Sequence, residues 1–368
     1  MKFSILQSKL VGPLQLISGA VEKRQTLPVL ANLLIKVEKN LLSITATDLE
    51  IEMSVNINLD QDSVDGDITV PARKLVDICR SLPVDNLINI ELSENKLLVK
   101  SGRSKFTLST ISAQEFPNIE GSLFSTEMQI SSTNLKSTID KTQFAMAQQD
   151  VRYYLNGMLL ELDNDNLLTV ATDGHRLALS RLSLDSAVTS EIVQVIVPRK
   201  GVLEANKLLS SIDEEATVSL NSNHIRITLG QFVFTSKLVD GRFPDYQKVL
   251  PKDAERILIC NKETIKEAFS RASILCNEKF RGVRLTLSEN KLTINANNPE
   301  QEEAEIELDV DYNDIEMEIG FNVSYLLDAV NTIKSEQVKF YLGDSNSSVL
   351  IEAADSSDSS YVVMPMRL

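Results

Sequence analysis

The sequence predicts an α+β protein built from three similar units, each with two helices and antiparallel sheets. Three observations lead to this prediction. A short motif recurs at a fixed interval, two amphipathic segments occur at matching places in each copy, and turn-forming pairs separate alternating strands. The motif recurs 125 residues apart, at Ala46-Thr47-Asp48, Ala171-Thr172-Asp173 and Ala296-Asn297-Asn298.

Each copy opens with a segment whose apolar positions recur at the three-and-four spacing of one helical face. The third copy is shifted by five residues relative to the other two. The matching positions are Leu10, Leu14, Ile17 and Val21, then Leu135, Ile139, Thr142 and Met146, then Ile265, Phe269, Ala272 and Cys276.

A second, shorter helix is predicted later in each copy. Its positions are Leu75, Ile78, Cys79 and Leu82, then Val202, Ala205, Asn206 and Leu209, then Leu326, Ala329, Val330 and Ile333. Between the helices, alternating strands are interrupted by pairs that favour tight hairpins, namely Lys39-Asn40, Asp165-Asn166 and Glu289-Asn290. The sheets are therefore expected to be antiparallel, with the helices on one face.

Domain boundaries are expected near Ser125 and Pro251, where polar or turn residues separate a closing strand from the next opening helix. The predicted domains are residues 1–125, 126–252 and 253–368. A chain of 368 residues is long enough for two or three domains with their own cores.

The net charge of −15 argues at first against nucleic-acid binding, which is driven by lysine and arginine. The excess is uneven, however, because residues 253–368 carry 11 basic and 22 acidic side chains. Much of it lies in an acidic band from Glu300 to Glu318, a pattern that usually means solvated strands. The first two thirds are close to neutral, so the total charge does not exclude nucleic-acid binding.

Several classes of protein are not supported by the sequence. It contains no phosphate-binding loop, dinucleotide-binding glycine motif, zinc-binding histidine pair or serine nucleophile elbow, and only two histidines. We expect no metal, no cofactor and no disulfide, since three widely spaced cysteines among apolar residues suggest buried thiols in a reducing compartment. No apolar run is long enough to cross a bilayer and no secretory signal is present, so a cytoplasmic location is expected. An acidic multidomain enzyme with dispersed carboxylates stays open as an alternative to a non-enzymatic platform.

Beyond these patterns, the whole chain resembles the bacterial DNA polymerase III beta subunits, the sliding-clamp family. The stretches that carry the resemblance are Thr26-Leu27-Pro28-Val29-Leu30, Val70-Pro71-Ala72-Arg73-Lys74, residues 149–158 (QDVRYYLNGM), residues 171–178 (ATDGHRLA), residues 240–246 (DGRFPDY) and residues 361–368 (YVVMPMRL). The resemblance implies the DNA clamp fold in three domains, and two chains joined head to tail in a ring around duplex DNA. It also implies a non-catalytic processivity factor whose partners are the polymerase III catalytic subunit, the clamp loader, other polymerases and repair proteins.

The resemblance implies sequence-independent contacts with double-stranded DNA. The residues concerned are Arg24, Arg73, Gln149, Tyr153, Tyr154 and Lys200. Arginine and lysine neutralise phosphates, and tyrosine offers a ring face and a hydroxyl. Judged by composition alone, the basic residues would only solvate helix ends, and the Tyr153-Tyr154 pair would be ordinary packing at a domain edge.

A hydrophobic pocket for short apolar peptides is also implied, and an apolar chain end supports it because free termini are normally polar. Its residues are Leu155, Thr172, Gly174, His175, Arg176, Leu177, Pro244, Lys248, Val249, Val362, Val363, Met364, Pro365, Met366, Arg367 and Leu368. Lys248 stands where better-known members carry arginine, which puts a bidentate contact there in doubt. The simpler interpretation is a structural histidine at 175 and a last strand in the tail.

The resemblance finally implies a dimer interface between the first domain of one chain and the third domain of the other. Its residues are Lys96, Arg103, Lys105, Phe106, Leu108, Ile274, Leu275, Glu300, Glu302, Glu303 and Glu305. Opposite charges would steer the pairing, and apolar contact would hold it. Alternatively, Phe106 fills the core of its own domain.

Overall fold

The computed structural model describes residues 1–22, 27–117, 123–251 and 255–367, and it has the predicted α+β fold. Each of three consecutive repeats runs in the order strand, helix, four strands, helix, three strands. In the described parts of the chain, no helix is both long enough and apolar enough to cross a membrane.

The elements of the first repeat are β1 (Lys2–Leu6), α1 (Gln7–Ile17), β2 (Asn32–Glu38), β3 (Leu41–Thr47), β4 (Ile51–Asn58), β5 (Gly66–Pro71), α2 (Ala72–Ser81), β6 (Leu87–Ser93), β7 (Lys96–Ser101) and β8 (Ser104–Ser109). Those of the second are β9 (Thr126–Ser131), α3 (Ser132–Asp140), β10 (Gly157–Asp163), β11 (Asn166–Thr172), β12 (Arg176–Ser183), β13 (Val193–Pro198), α4 (Arg199–Leu209), β14 (Glu215–Leu220), β15 (His224–Leu229) and β16 (Phe232–Lys237). Those of the third are β17 (Arg256–Asn261), α5 (Lys262–Ala272), β18 (Gly282–Ser288), β19 (Lys291–Asn297), β20 (Glu303–Asp309), β21 (Met317–Asn322), α6 (Val323–Thr332), β22 (Gln337–Leu342), β23 (Val349–Ala353) and β24 (Ser359–Val363).

The predicted helices are present, but the opening helix of each repeat is shorter than its apolar pattern. Helix α1 ends at Ile17 and is followed by one 3₁₀ turn, Ser18–Ala20, so Val21 lies beyond the helix in extended conformation. In the later repeats the fourth apolar position also follows the helix, yet Met146 and Cys276 are still buried. The pattern therefore marked the buried face correctly and overestimated the helix length.

The hairpin turns were predicted well in two of the three repeats. Lys39 and Asn40 have φ values of 51° and 63°, the left-handed pair that a tight hairpin needs. Asn290 has a φ of 57° in the corresponding turn of the third repeat. In the second repeat the left-handed residue is Asn164 and β11 begins at Asn166, so the turn lies one residue before the predicted pair.

The chain forms two compact units. The first comprises Met1–Lys136 and Lys200–Leu238, and the second comprises Ser137–Arg199 and Val239–Leu368. The first unit contains an eight-stranded sheet in the order β5-β2-β3-β4-β16-β15-β14-β9 and a four-stranded sheet in the order β1-β6-β7-β8. The second contains an eight-stranded sheet in the order β13-β10-β11-β12-β24-β23-β22-β17 and a four-stranded sheet in the order β20-β19-β18-β21.

Both eight-stranded sheets are made of two four-stranded halves from successive repeats. In the first unit the halves meet where β4 pairs with β16, with Met53 opposite Phe234. In the second unit they meet where β12 pairs with β24, with Ala178 opposite Tyr361. Among the residues that the structure describes, the two four-stranded sheets have no such second half, so β8 and β20 are edge strands.

Candidate functional site

The repeated Thr-Asp motif forms the same turn in the first two repeats. In the second repeat the Thr172 hydroxyl donates to the Arg176 carbonyl oxygen at 2.6 Å, and the Asp173 carboxylate accepts the backbone N–H groups of His175 and Arg176. In the first repeat Thr47 and Asp48 make the equivalent bonds around Ile51. The recurring motif is therefore a side-chain cap on a strand connection.

Gly174 is required in the second of these turns. Its φ is +88°, in the left-handed region that favours glycine. A Cβ atom there would lie only 2.9 Å from Nη2 of Arg152. Glycine therefore lets the Arg152 guanidinium lie against the turn.

A cavity of about 140 Å³ opens beside this turn in the second unit. Nine of the residues predicted for the peptide pocket line it: Leu155, Thr172, Gly174, Arg176, Leu177, Pro244, Val249, Val362 and Met364. Beneath it lies an apolar cluster that includes Leu159, Leu179, Phe243 and Tyr246. The site is thus a small, mostly apolar hollow with a few polar groups, as a peptide anchor requires.

Arg176 forms one wall of the cavity and is only 13% exposed. Its guanidinium pairs with Asp173 at 3.1 Å, pairs with Asp328 of α6, and donates to the Phe144 carbonyl oxygen at 2.8 Å. Its carbon Cζ also lies 4.4 Å from the ring centroid of Tyr325. Arg176 therefore joins the second repeat to the first turns of α6 in the third, and its orientation is fixed.

The C-terminal tail is tied down rather than free. The backbone N–H of Met364 donates to the His175 carbonyl oxygen at 2.9 Å, and that of Met366 donates to the Gly320 carbonyl oxygen at 2.8 Å. Val363 is buried in β24 opposite Arg176. The tail thereby holds Met364, which is 36% exposed, at the cavity.

The remaining predicted pocket residues lie outside the cavity lining. They are His175 and Arg367, which are exposed, Lys248, which pairs with Asp245 at 2.9 Å, and Val363, Pro365 and Met366 in the tail. Leu368 lies outside the described residues. Sequence reasoning missed Arg152 and Tyr246 and assigned Tyr154 elsewhere, yet all three line the cavity. All three lie within residues 149–158 and 240–246, two of the stretches that resemble the sliding-clamp family, so that resemblance could have pointed to them.

The predicted DNA-binding residues have different surroundings. Arg73 is 96% exposed on α2 with only a 4.0 Å approach to Asp77, and it is available to a phosphate. Lys200, by contrast, pairs with the buried carboxylate of Asp48, so a phosphate would compete with that ion pair. Arg24 lies outside the described residues.

In the second unit, Gln149 and Tyr153 lie on an exposed segment. Gln149 has a left-handed φ of 57°, and Tyr153 is 58% exposed. Tyr154 packs partly against the apolar cluster under the cavity, with its ring centroid 5.9 Å from that of Tyr153. Arg152 holds this segment through Asp150, whose carboxylate accepts from Nε and Nη2 at 3.0 Å each. These bonds lower the pKa of Asp150 to about 2.

The residues predicted for the dimer interface lie on or near the two edge strands and on one exposed turn. On β8, Phe106 is half-buried and Leu108 is buried, so only the second clearly belongs to the core of its own unit. Lys96, Arg103 and Lys105 are exposed. In the third repeat, Glu300, Glu302, Glu303 and Glu305 are exposed on and before β20, while Ile274 is 75% exposed and Leu275 half-buried.

Within the described parts of the chain, no three histidine, cysteine, aspartate or glutamate side chains lie close enough together to form a metal site.

Family models of the DNA polymerase III beta subunit match the chain throughout: the N-terminal domain at residues 1–120, the central domain at 129–245 and the C-terminal domain at 247–367. The chain belongs to the DNA polymerase III beta subunit family.

Individual beta subunits are similar over their full length. The beta sliding clamp of Pseudomonas aeruginosa is 57% identical and that of Escherichia coli is 53% identical, each with the whole of both chains covered. The crystal structure of the DNA polymerase III subunit beta from Pseudomonas aeruginosa superposes with a TM-score of 0.97 at 55% identity. The Caulobacter crescentus pol III beta structure superposes with a TM-score of 0.95 at 36% identity, and both comparisons cover both chains completely.

The family models of the N-terminal, central and C-terminal domains match the first, second and third repeats of the chain, in that order. The predicted boundaries near Ser125 and Pro251 stay a prediction. The roles of individual residues in this beta subunit likewise stay predictions.

Proposed function

We propose that this sliding clamp closes a ring from two copies, encircles duplex DNA without catalysing a reaction, and binds partner proteins through the cavity beside Arg176. A closed ring is held on DNA by topology, so it needs only weak, sequence-independent contacts and can slide. The net charge of −15 fits this mode, because an acidic protein grips phosphate weakly and a few basic residues suffice.

The observation that carries the ring is the pairing of half-sheets. Twice within the chain, the fourth strand of one half-sheet pairs with the last strand of the next repeat, as β4 with β16 and β12 with β24. The same positions in the remaining half-sheets belong to β20 of the third repeat and β8 of the first, and both are edges. A second copy would supply the missing half at each edge and close the ring head to tail.

The internal repeats also give the register of this pairing. The alanine of the repeated motif stands opposite one residue of the next strand in each repeat: Ala46 opposite Met53, Ala171 opposite Ala178, and Ala296 opposite Ala304. At the two existing junctions, Met53 in turn faces Phe234 and Ala178 faces Tyr361. On the other side of each junction, Phe106 occupies the position in the first repeat that Phe234 and Tyr361 occupy in the second and third. This follows from residues that stand directly opposite one another on the last three strands of each repeat: Ile90, Val99 and Phe106; Val218, Ile227 and Phe234; and Phe340, Ile351 and Tyr361.

Phe106 of one copy should therefore face Ala304 of the other. Antiparallel pairing then puts Lys105 opposite Glu305 and Arg103 opposite Glu307. Opposite charges directly across a strand pair stabilise it, so the register and the charges agree.

Retention on DNA tests encirclement. Clamp loaded onto nicked circular DNA should stay bound through gel filtration, and cutting the circle once should release it, because a ring slides off a free end. Equal loss from circular and linear DNA would contradict the ring. The measurement is the fraction of labelled clamp that elutes with DNA before and after cutting.

We expect the combined Arg73→Ala and Gln149→Ala variant to load less well onto circular DNA while remaining a dimer. Loss of one phosphate contact should also flatten the plot of log affinity against log salt by about one unit. Lys200→Ala is the matched comparison, and it should change the salt dependence less, since its ammonium pairs with Asp48. An unchanged loading yield in the first variant would remove Arg73 and Gln149 from the DNA contacts.

Deletion of Met364–Leu368 should abolish polymerase binding and leave the ring intact. The deletion removes Met364 from the cavity and both backbone bonds that hold the tail, whereas β24 and its pairing with β12 remain. Surface-captured polymerase would measure binding. Arg367→Ala is the control, because Arg367 is exposed and outside the cavity, and retained binding after the deletion would contradict the pocket.

A further inference from the structure

The connection from Leu238 to Leu250 forms part of the cavity wall without being part of a sheet. No strand is assigned between the end of β16 at Lys237 and the start of β17 at Arg256 among the residues described there. Pro244, Tyr246 and Val249 on this connection nevertheless line the cavity. Something other than a strand ladder must hold them in place.

A buried carboxylate supplies that anchor. Glu161 on β10 is only 6% exposed, and its Oε1 accepts a hydrogen bond from the Tyr246 hydroxyl at 2.9 Å. Its Oε2 accepts from Nε2 of Gln194 on β13 at 2.5 Å. Burial raises the pKa of Tyr246 to about 12, so the hydroxyl keeps its proton and remains a donor.

We propose that Glu161 is a positioning residue for the cavity: by holding the Tyr246 hydroxyl it fixes the turn that presents Tyr246 and Val249 to a bound peptide. The inference rests on the proposed peptide-binding function. A carboxylate is costly to bury, and an apolar residue would fill the same space at lower cost, so its use at this position points to orientation rather than to stability.

The backbone shows how the anchor reaches the lining. Tyr246 begins a single 3₁₀ turn through Lys248, and the N–H of Val249 donates to the Tyr246 carbonyl oxygen at 3.1 Å. The N–H of Lys248 donates to the Asp245 carbonyl oxygen at 3.3 Å. Tyr246 is 5% exposed and its ring lies in the apolar cluster, so the ring would stay buried without the hydroxyl, but its rotation and the turn would no longer be fixed.

Tyr246→Phe and Glu161→Gln separate the two partners. The first removes the donor and leaves a buried oxygen unpaired. The second keeps an oxygen that accepts from Tyr246, and its new NH2 group can donate to the side-chain oxygen of Gln194 once that amide turns over. Tyr312→Phe is the matched control, since Tyr312 is also buried and its hydroxyl donates to the Ile315 carbonyl oxygen at 2.7 Å outside the cavity. The measurements are amide hydrogen exchange of Lys248 and Val249, and the Kd of a fluorescein-labelled synthetic peptide with leucine and phenylalanine between serine flanks.

Tyr246→Phe should speed exchange at Lys248 and Val249 and weaken the peptide about tenfold, the effect of losing one hydrogen bond to a charged group. Glu161→Gln should stay within about twofold of the parent protein, and Tyr312→Phe should lower thermal stability without changing the peptide Kd.

Unchanged exchange and affinity in Tyr246→Phe would overturn the proposal, as would an equal loss of affinity in Tyr312→Phe. If the parent protein does not bind the peptide, the proposed function of the cavity is lost. The exchange measurement still decides the anchor, because it needs no ligand.

Discussion

A variant carrying Ile274→Ala and Leu275→Lys should be a monomer of 40.9 kDa under conditions in which the parent protein is a dimer. Ile274 is 75% exposed, so it is available for the apolar contact that the proposed interface needs. The substitutions remove the apolar contact and put a desolvated ammonium where the interface should be dry, a change that costs several kcal/mol. Light scattering after gel filtration measures the mass.

The charge pair predicted by the register provides the control for this result. Lys105→Glu and Glu305→Lys should each weaken the dimer, because like charges would then face each other across β8 and β20. Their combination should restore it, since the pair is only reversed. A dimer that survives Ile274→Ala with Leu275→Lys would contradict the interface. If the variant with both Lys105→Glu and Glu305→Lys forms a weaker dimer than either single variant, the register is contradicted.

Arg176→Ala should lower the free energy of unfolding of the second unit by about 3 kcal/mol. The substitution leaves Asp173 and Asp328 without their cation and removes the packing of the guanidinium on Tyr325 and Phe144. Because Asp173 is only 17% exposed, water replaces the lost partner poorly. Calorimetric unfolding measures the change, and peptide affinity should fall with it because Arg176 lines the cavity.

Arg152→Ala is the comparison for that experiment. Arg152 also lines the cavity and also pairs with a carboxylate, but its side chain is 48% exposed. We expect it to cost less than about 1 kcal/mol of stability, as exposed ion pairs do. Equal losses in the two variants would show that the bonds of Arg176 to the third repeat carry no special stability.

The features that follow a period along the chain were predictable from the sequence. The interval between the repeated motifs and the buried faces of the helices were read correctly, because one residue in every three or four must meet the core. Helix ends were less predictable: Val21 continues the apolar spacing, but α1 ends at Ile17 and tightens into a 3₁₀ turn that stops at Ala20. The turn at Asn164 was misplaced by one residue because Asn164, Asp165 and Asn166 all suit a turn.

Contacts between distant residues could not be predicted in this way. Glu161 and Tyr246 are 85 positions apart, and no spacing connects them. The Arg73-Lys74 and Arg199-Lys200 pairs look equivalent in the sequence. Only the folded structure shows that Lys200 is paired with Asp48 whereas Lys74, at the equivalent position, is exposed.

In the proposed ring, the edges of β8 and β20 also decide how copies recognise one another. Each chain offers one basic edge and one acidic edge at these two strands. Lys105 lies on β8 and Arg103 just before it, and Glu303, Glu305 and Glu307 lie on β20. Two identical edges carry like charges and repel, so a symmetric pairing of β8 with β8 or of β20 with β20 is disfavoured. The basic edge of one copy therefore pairs with the acidic edge of the next, head to tail. Such assembly would continue into a filament unless the rotation between successive copies closes it. In the proposed ring, closure after two copies therefore depends on that rotation and not on the charges of the edges.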